Sequence, residues 1–279
     1  MTPILVVGAT GTLGRRLVAQ LSAAGVRPRA LVRSREKGEA IVSTATPVLG
    51  DLVAPESLAD AFGGTERVFI VAPPAPEMEA LERNAIDAAL AAGAKRIVYL
   101  SNFAATEGSP LRPMHIHGLH ERLIASSGVE WTVLGPTRYM TNFPFDWSSV
   151  LNDGLLLEAG GSGVMTCIDP DDVAAVAVRA LIEDGHQGQT YRLTSEDAFT
   201  AADLAAVLSG FLGRDVRVPD EDGARPPGGY FGLVAAGVYK TTGTAAEVLG
   251  RAPRSYAEWL ERQPAARWHG NDARERRRR

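Results

Sequence analysis

The chain has 279 residues, 45% hydrophobic and 22% charged, enough for one large α/β domain or two modest ones whose core needs neither metal nor disulfide. Its single cysteine, Cys167, excludes an internal disulfide and argues against structural zinc, and no apolar run approaches the roughly 18 residues of a bilayer span. The net charge is −4, and five arginines against one glutamate in the last six residues leave the rest more acidic still; such a body disfavours nonspecific attraction to nucleic acid, so no specific nucleic-acid partner is expected. No basic region precedes the apolar stretch Ile4–Val7 and no small-residue cleavage site follows it, so cytoplasmic residence is the expectation.

From Pro3 to about Pro136, short β-branched or aliphatic runs alternate with longer helical patterns, the signature of successive βαβ units. The runs predict strands at Ile4–Val7, Arg29–Val32, Pro47–Leu49, Val68–Val71, Ile97–Leu100 and Trp131–Leu134. Helices are expected between them near Leu13–Ala24, Pro55–Phe62, Glu79–Ala92 and Met114–Ser126, closed by glycine-containing turns. Six such strands with right-handed crossovers make an α/β fold, a Rossmann-type doubly wound parallel sheet. Past Pro136 the rhythm changes. A helical stretch near Met140–Leu151, a strand around Met165–Ile168, a helix opened by Asp169-Pro170-Asp171-Asp172 and a strand at Gln189–Leu193 are expected. Thr200 with Asp203 and Ser255 with Glu258 form N-cap signatures before helices Ala201–Leu212 and Tyr256–Gln263, and Pro219–Gly229 reads as a surface loop.

Directly after the first strand stands Gly8-Ala9-Thr10-Gly11-Thr12-Leu13-Gly14. Gly8 suits a tight turn, Gly11 lets backbone amides approach a pyrophosphate, and Gly14 lets the helix pack close to the strand; the helix N-terminus faces the phosphates with its partial positive charge. A glycine triplet alone is weak, but here it ends an N-terminal strand and opens an amphipathic helix, which is the context a dinucleotide site demands. Gly8, Thr10, Gly11, Thr12, Leu13 and Gly14 are therefore the expected cofactor loop. At the end of the second strand, Arg33 occupies the place of an NAD-selective carboxylate, with Ser34, Arg35 and Lys37 beside it, so NADP(H) is expected over NAD(H). Asp51 and Leu52 after the third strand are expected beside the adenine, with helix capping the other reading of Asp51. Ala72 and Pro73 end the fourth strand and Pro136 the sixth in the same plane; all are candidate cofactor neighbours.

These residues resemble the NmrA-like branch of the atypical short-chain dehydrogenase/reductases, including its NADP-binding quinone reductase and azoreductase relatives. The likeness runs through Ala30-Leu31-Val32-Arg33, Gly50-Asp51-Leu52, Asn84-Ala85-Ile86-Asp87-Ala88-Ala89, Ala92-Gly93-Ala94-Lys95-Arg96-Ile97-Val98-Tyr99-Leu100-Ser101, Trp131-Thr132-Val133-Leu134, Met140-Thr141-Asn142-Phe143 and Ile168-Asp169. It implies a Rossmann core over residues 1–136, a smaller α/β substrate-binding region over 137–263 interleaved with it and a cleft between them; past it, the arginine-rich composition of 264–279 reads as a basic flexible tail. Two departures stand out. None of the six tyrosines has lysine four residues later, and the Tyr-x-x-x-Lys pair of related reductases maps onto Pro113 and His117. Gly135 stands where an arginine commonly precedes the proline.

His117, His120 and Glu121 share a helix face while His115 points elsewhere. His117 is the candidate proton donor or nicotinamide-ribose contact, with a packed histidine as the other reading. Ser101, at the carboxyl edge of the fifth strand, suits a substrate carbonyl or the cofactor amide, and also a simple strand-end cap. Asn102, Thr137, Tyr139 and Phe143 are candidate substrate contacts, with the core an equal alternative for the aromatics. No metal site is expected. Without a strong protein acid, the expected reaction is hydride transfer from NADPH to a conjugated small molecule such as a quinone, an enone or an aromatic polyketide-like ketone. A non-catalytic NADP(H) sensor or a redox-neutral isomerase or cyclase are the alternatives. Neither substrate identity nor oligomeric state is readable.

Overall fold

The structure, a computed structural model, describes residues 2–144, 147–157, 163–219 and 229–264; most of the expected Pro219–Gly229 loop and the basic tail past Pro264 lie outside them. In chain order the strands are β1 (Ile4–Val6), β2 (Arg29–Val32), β3 (Thr46–Leu49), β4 (Arg67–Ile70), β5 (Arg96–Leu100), β6 (Glu130–Pro136), β7 (Arg138–Tyr139), β8 (Met165–Ile168), β9 (Gln189–Leu193) and β10 (Ala198–Phe199). The helices are α1 (Thr12–Ala23), α2 (Arg35–Glu39), α3 (Leu58–Phe62), α4 (Met78–Ala91), α5 (Arg112–Ser126), α6 (Trp147–Asp153), α7 (Pro170–Ile182), α8 (Ala201–Leu212), α9 (Gly229–Ala235), α10 (Thr244–Leu249) and α11 (Tyr256–Glu261).

Two compact units divide the described residues. The first draws on Met1–Pro136, Pro170–Leu193 and Thr244–Gly250. Its sheet has seven strands in the order β3-β2-β1-β4-β5-β6-β9, every pair parallel. Strands buried on both faces need continuous apolar runs, and Leu5, Val6, Val68, Phe69, Ile97 and Val98 supply them. Alternation decides which face each residue serves: Leu5, Val7, Val68, Ile70, Ile97, Tyr99 and Val133 pack with Leu58 and Phe62 of α3, Ala85 and Ile86 of α4 and Ile124 of α5. The sheet order reverses between β1 and β4, the switch point where an open α/β sheet forms its ligand crevice.

Six strands of this sheet are those expected up to Pro136; the seventh is β9, the strand expected at Gln189–Leu193, whose place in the sheet was not predicted and which is hydrogen-bonded beside β6 with Gly135 opposite Arg192. Its sequence, Gln189–Leu193, is half polar because it lies at the sheet's edge. The expected helix over Met140–Leu151 is also corrected. A 3-10 turn covers Met140–Asn142 and α6 starts only at Trp147, because Pro144 has no amide to donate and disfavours helical geometry at Phe143. Likewise Pro55–Ser57 is a 3-10 turn that runs into α3. The short helix α2 was not anticipated; Ser34 caps it by accepting from the Lys37 amide at 3.3 Å.

The second unit comprises the remaining described chain. It holds a three-stranded sheet in the order β10-β8-β7, with β7 and β8 parallel and β8 and β10 antiparallel. Both expected capping boxes form, Thr200 with Asp203 and Ser255 with Glu258. Among the described residues no helix is long and apolar enough to cross a membrane.

Candidate functional site

The loop from β1 to α1 is shaped by its glycines. Gly8 has φ +73°, and a Cβ there would lie 2.6 Å from both the Val71 side chain and the Val71 carbonyl oxygen. At Gly14 a Cβ would lie 2.1 Å from the Gly8 carbonyl oxygen, so α1 approaches β1 as closely as backbone allows. The Gly11 amide donates to Gly8 O at 3.0 Å. Gly11 is the N-cap of α1 and brings no side chain, and no acidic residue sits in the first turn. The amides of Thr12, Leu13 and Gly14 therefore open onto the exposed surface of Gly11 and Thr12 with their partial positive charge unopposed. A diphosphate fits this cradle: Gly8 and Gly14 let the turn and α1 pack against Val71 and the Gly8 carbonyl, which sets the amide-bearing first turn at the carboxyl end of β1.

The other candidates of the first unit sit at the carboxyl ends of its strands. Arg33 and Ser34 follow β2, both exposed, although the Ser34 hydroxyl is engaged by the Lys37 amide. Asp51 follows β3; its Oδ1 accepts from the Val53 amide at 3.0 Å and its own amide donates to Ser57 Oγ at 2.9 Å, so its first role is to cap this turn. The Leu52 carbonyl accepts from Asn84 Nδ2 at 2.8 Å. Ala72 and exposed Pro73 follow β4, Ser101 and Asn102 follow β5, and Pro136 ends β6, its carbonyl accepting from the Phe103 amide at 3.0 Å. Lys95 lies before β5, at the opposite end of the sheet, and pairs with Glu66 at 3.1 Å.

A buried polar cluster joins β5, α4 and α5. The Tyr99 hydroxyl donates to Glu82 Oε2 at 2.6 Å and meets His117 Nδ1 at 2.8 Å. His120 Nδ1 meets the same carboxylate oxygen at 2.8 Å. Glu82 is 1% exposed, and its Oε2 has a polar partner in both Tyr99 and His120, as burial of a polar atom requires. Burial, then the Glu82 charge, raises the Tyr99 phenol well above its ordinary range, so Tyr99 keeps its proton and does not replace the missing tyrosine acid. Burial also holds His117 below the ordinary imidazole value; Glu82 opposes that shift and His120 reinforces it. His117 is thus neutral near pH 7 and 14% of its side chain is accessible. His115 turns away and bonds the Glu107 carbonyl.

Glu121 does not partner His117. It forms a two-pronged pair with Arg192 at 2.8 and 2.9 Å and accepts from the Ser101 hydroxyl. Arg192 Nη1 also donates to the Asn102 carbonyl at 2.9 Å, so one guanidinium ties β9 to α5 and to the loop after β5. Gly135 makes room for it: a Cβ there would lie 2.4 Å from Arg192 Nη1. The guanidinium that packs over Gly135 thus comes from the neighbouring sheet strand β9. Sequence reasoning missed Glu82, Tyr99 and Arg192. The available signal was Glu82 itself, a charge inside the apolar stripe Met78, Ala85, Ile86 and Ala89.

Thr137, Tyr139 and Phe143 belong to the second unit. Thr137 is buried and its hydroxyl donates to the Thr166 carbonyl at 3.0 Å, and Tyr139 is half-buried in β7. Phe143 is fully buried against Phe199 and Tyr256, with ring centroids 6.1 and 5.4 Å away. It packs in the core of its unit, the alternative held open for the aromatics beside a substrate contact; an aromatic followed by proline buries as readily as it lines a site.

The NAD(P)H-binding family profile matches residues 8–184. An NAD(P)H azoreductase of Xenophilus azovorans is 36% identical over 218 residues, covering 77% of this chain and 75% of the relative. A (4-alkanoyl-5-oxo-2,5-dihydrofuran-3-yl)methyl phosphate reductase of Streptomyces griseus is 32% identical, covering 92% of this chain and 96% of the relative. The crystal structure of an NADPH-dependent quinone oxidoreductase of Escherichia coli complexed with NADPH superposes with a TM-score of 0.81 at 28% identity, covering 92% of this chain and 98% of that one.

Proposed function

The chain belongs to the NAD(P)H-binding, NmrA-like branch of the atypical short-chain dehydrogenase/reductases and is an NAD(P)H-dependent oxidoreductase; from that premise we propose that it prefers NADPH and reduces a conjugated small molecule. In this reading Gly8, Thr10, Gly11, Thr12, Leu13 and Gly14 hold the diphosphate and Arg33, with Ser34, receives the ribose 2′-phosphate. Ala72, Pro73, Asp51, Leu52 and Pro136 border the cofactor, Ser101 and His117 contact the nicotinamide half or the substrate, and Asn102, Thr137 and Tyr139 face the substrate. When bound, the nicotinamide supplies the hydride.

The observation that carries the substrate class is that, among the described residues around β5 and α5, no acid stands poised to give up a proton. Tyr99 is held protonated by burial and Glu82, His117 is held neutral, and the Ser101 hydroxyl is committed to Glu121. An acceptor whose reduced form is already a delocalised anion needs no such acid. Azo, quinone and alkanoyl-furanone groups, in the names of the relatives, are conjugated acceptors of this kind. The test is NADPH oxidation, followed by absorbance, with quinones, enones, azo dyes and simple aliphatic ketones, and NADH alongside. Turnover of the conjugated acceptors alone, with NADPH preferred, supports the proposal. Equal turnover of aliphatic ketones, or tight NADPH binding without turnover of any, sinks it.

A further inference from the structure

We infer that Glu82, acting through the Tyr99 hydroxyl, sets which ring nitrogen of His117 carries the proton, so that His117 offers its ligand an unprotonated Nε2. The Tyr99 hydroxyl has one hydrogen, and it is donated to Glu82 Oε2 at 2.6 Å. Toward His117 Nδ1, 2.8 Å away, the phenol oxygen can only accept. Nδ1 must therefore carry a hydrogen. Reversing the chain would need a hydrogen on Glu82 Oε2, but that oxygen lies 2.6 Å from the phenol and 2.8 Å from His120 Nδ1, a place from which a carboxylate oxygen with its lone pairs can accept from both neighbours at once. The groups facing His117 are Tyr99 from β5, Glu82 from α4, His120 and Glu121 from α5 and Arg192 from β9. With burial dominating their sum in favour of the neutral ring, one hydrogen remains on the imidazole and it sits on Nδ1. Nε2 has no hydrogen-bond partner among the described residues, and the ring is partly accessible.

The consequence rests on the reading of His117 as a cofactor or substrate contact. Nε2 accepts a hydrogen bond, from a ribose hydroxyl or an amide N–H, and has no proton to deliver to a reduced substrate. Solvent then supplies that proton. Glu82 and Tyr99 are positioning residues, since they act on the ligand only through His117.

The test reads the tautomer directly. Protein labelled with 15N-histidine contains five histidines, and a long-range 1H–15N correlation at neutral pH separates Nδ1–H from Nε2–H rings. The His117 signals are those lost in His117→Asn. The wild type should show His117 as Nδ1–H. Glu82→Gln should convert it to Nε2–H, because the carboxamide can donate to Tyr99 and free the phenol to donate to Nδ1. Tyr99→Phe should abolish the preference and weaken NADPH binding about three- to tenfold, the worth of one hydrogen bond. A wild-type ring protonated at Nε2, or a tautomer unmoved by both substitutions, overturns the inference. If the wild type is Nδ1–H but His117→Asn binds NADPH and turns over unchanged, the ligand contact falls while the tautomer assignment stands.

Discussion

Arg33 stands exposed at the end of β2, with no hydrogen bond or ion pair among the described residues, so changing it should alter recognition and leave folding alone. Arg33→Asp is expected to lower the NADPH-to-NADH ratio of kcat/KM at least tenfold, through one lost charge-assisted contact and one new repulsion. An unchanged ratio would move cofactor choice to other residues. His117 connects to stability as well. Because its folded pKa is depressed, its contribution is fully present above the unfolded value of about 6.5 and is lost as pH falls from there through the folded value. The decline of Tm between about pH 7.5 and 5.5 should therefore be shallower in His117→Asn than in the wild type. Equal slopes would mean the imidazole is not held neutral. Both positions could be singled out in the sequence, Arg33 from its place at the end of the second strand and His117 from its place on the fifth helix. The partners of His117 were not, since Glu82 and Tyr99 lie in other elements.

At the scale of elements, two close approaches depend on glycine. Gly14→Ala puts a methyl 2.1 Å from the Gly8 carbonyl, which α1 can escape only by lifting from β1. A loss of about 1–3 kcal/mol in urea denaturation and weaker NADPH binding are expected. Gly135→Ala should cost a similar amount, but for a different reason: its methyl meets the Arg192 guanidinium, 2.4 Å from Nη1. In an Arg192→Ala background most of that cost should vanish, giving a coupling of about 1–2 kcal/mol in the double-mutant cycle. Strict additivity would show that the pair is not in contact. The glycine triplet announces its close approach in the sequence, because strand, turn and helix are contiguous. The Gly135–Arg192 pair gives no such sign, for its partners are 57 residues apart in the chain and meet only through the register of β6 with β9. The helix expected over Met140–Leu151 failed for a local reason that was readable, the proline at 144.

For the whole molecule, a ligand that binds the folded state alone raises stability by mass action. NADPH at about one hundred times its Kd should add roughly 2.7 kcal/mol, a Tm rise on the order of 5–10 °C for a chain of this size. NADH at equal concentration should give distinctly less. No shift with either would contradict the dinucleotide cradle. Alternating apolar runs, glycines and caps determined by themselves that this chain forms a parallel α/β sheet with a glycine-rich turn between its first strand and first helix, because each of those signals is written within a few contiguous residues. Only the tertiary structure decided that β9 joins the sheet, that Phe143 is core, that Arg192 fills the space left by Gly135 and that His117 faces a buried Glu82 through Tyr99. Those outcomes depend on strand register and helix packing between segments distant in sequence, and a pattern read along the chain contains no record of distance across it.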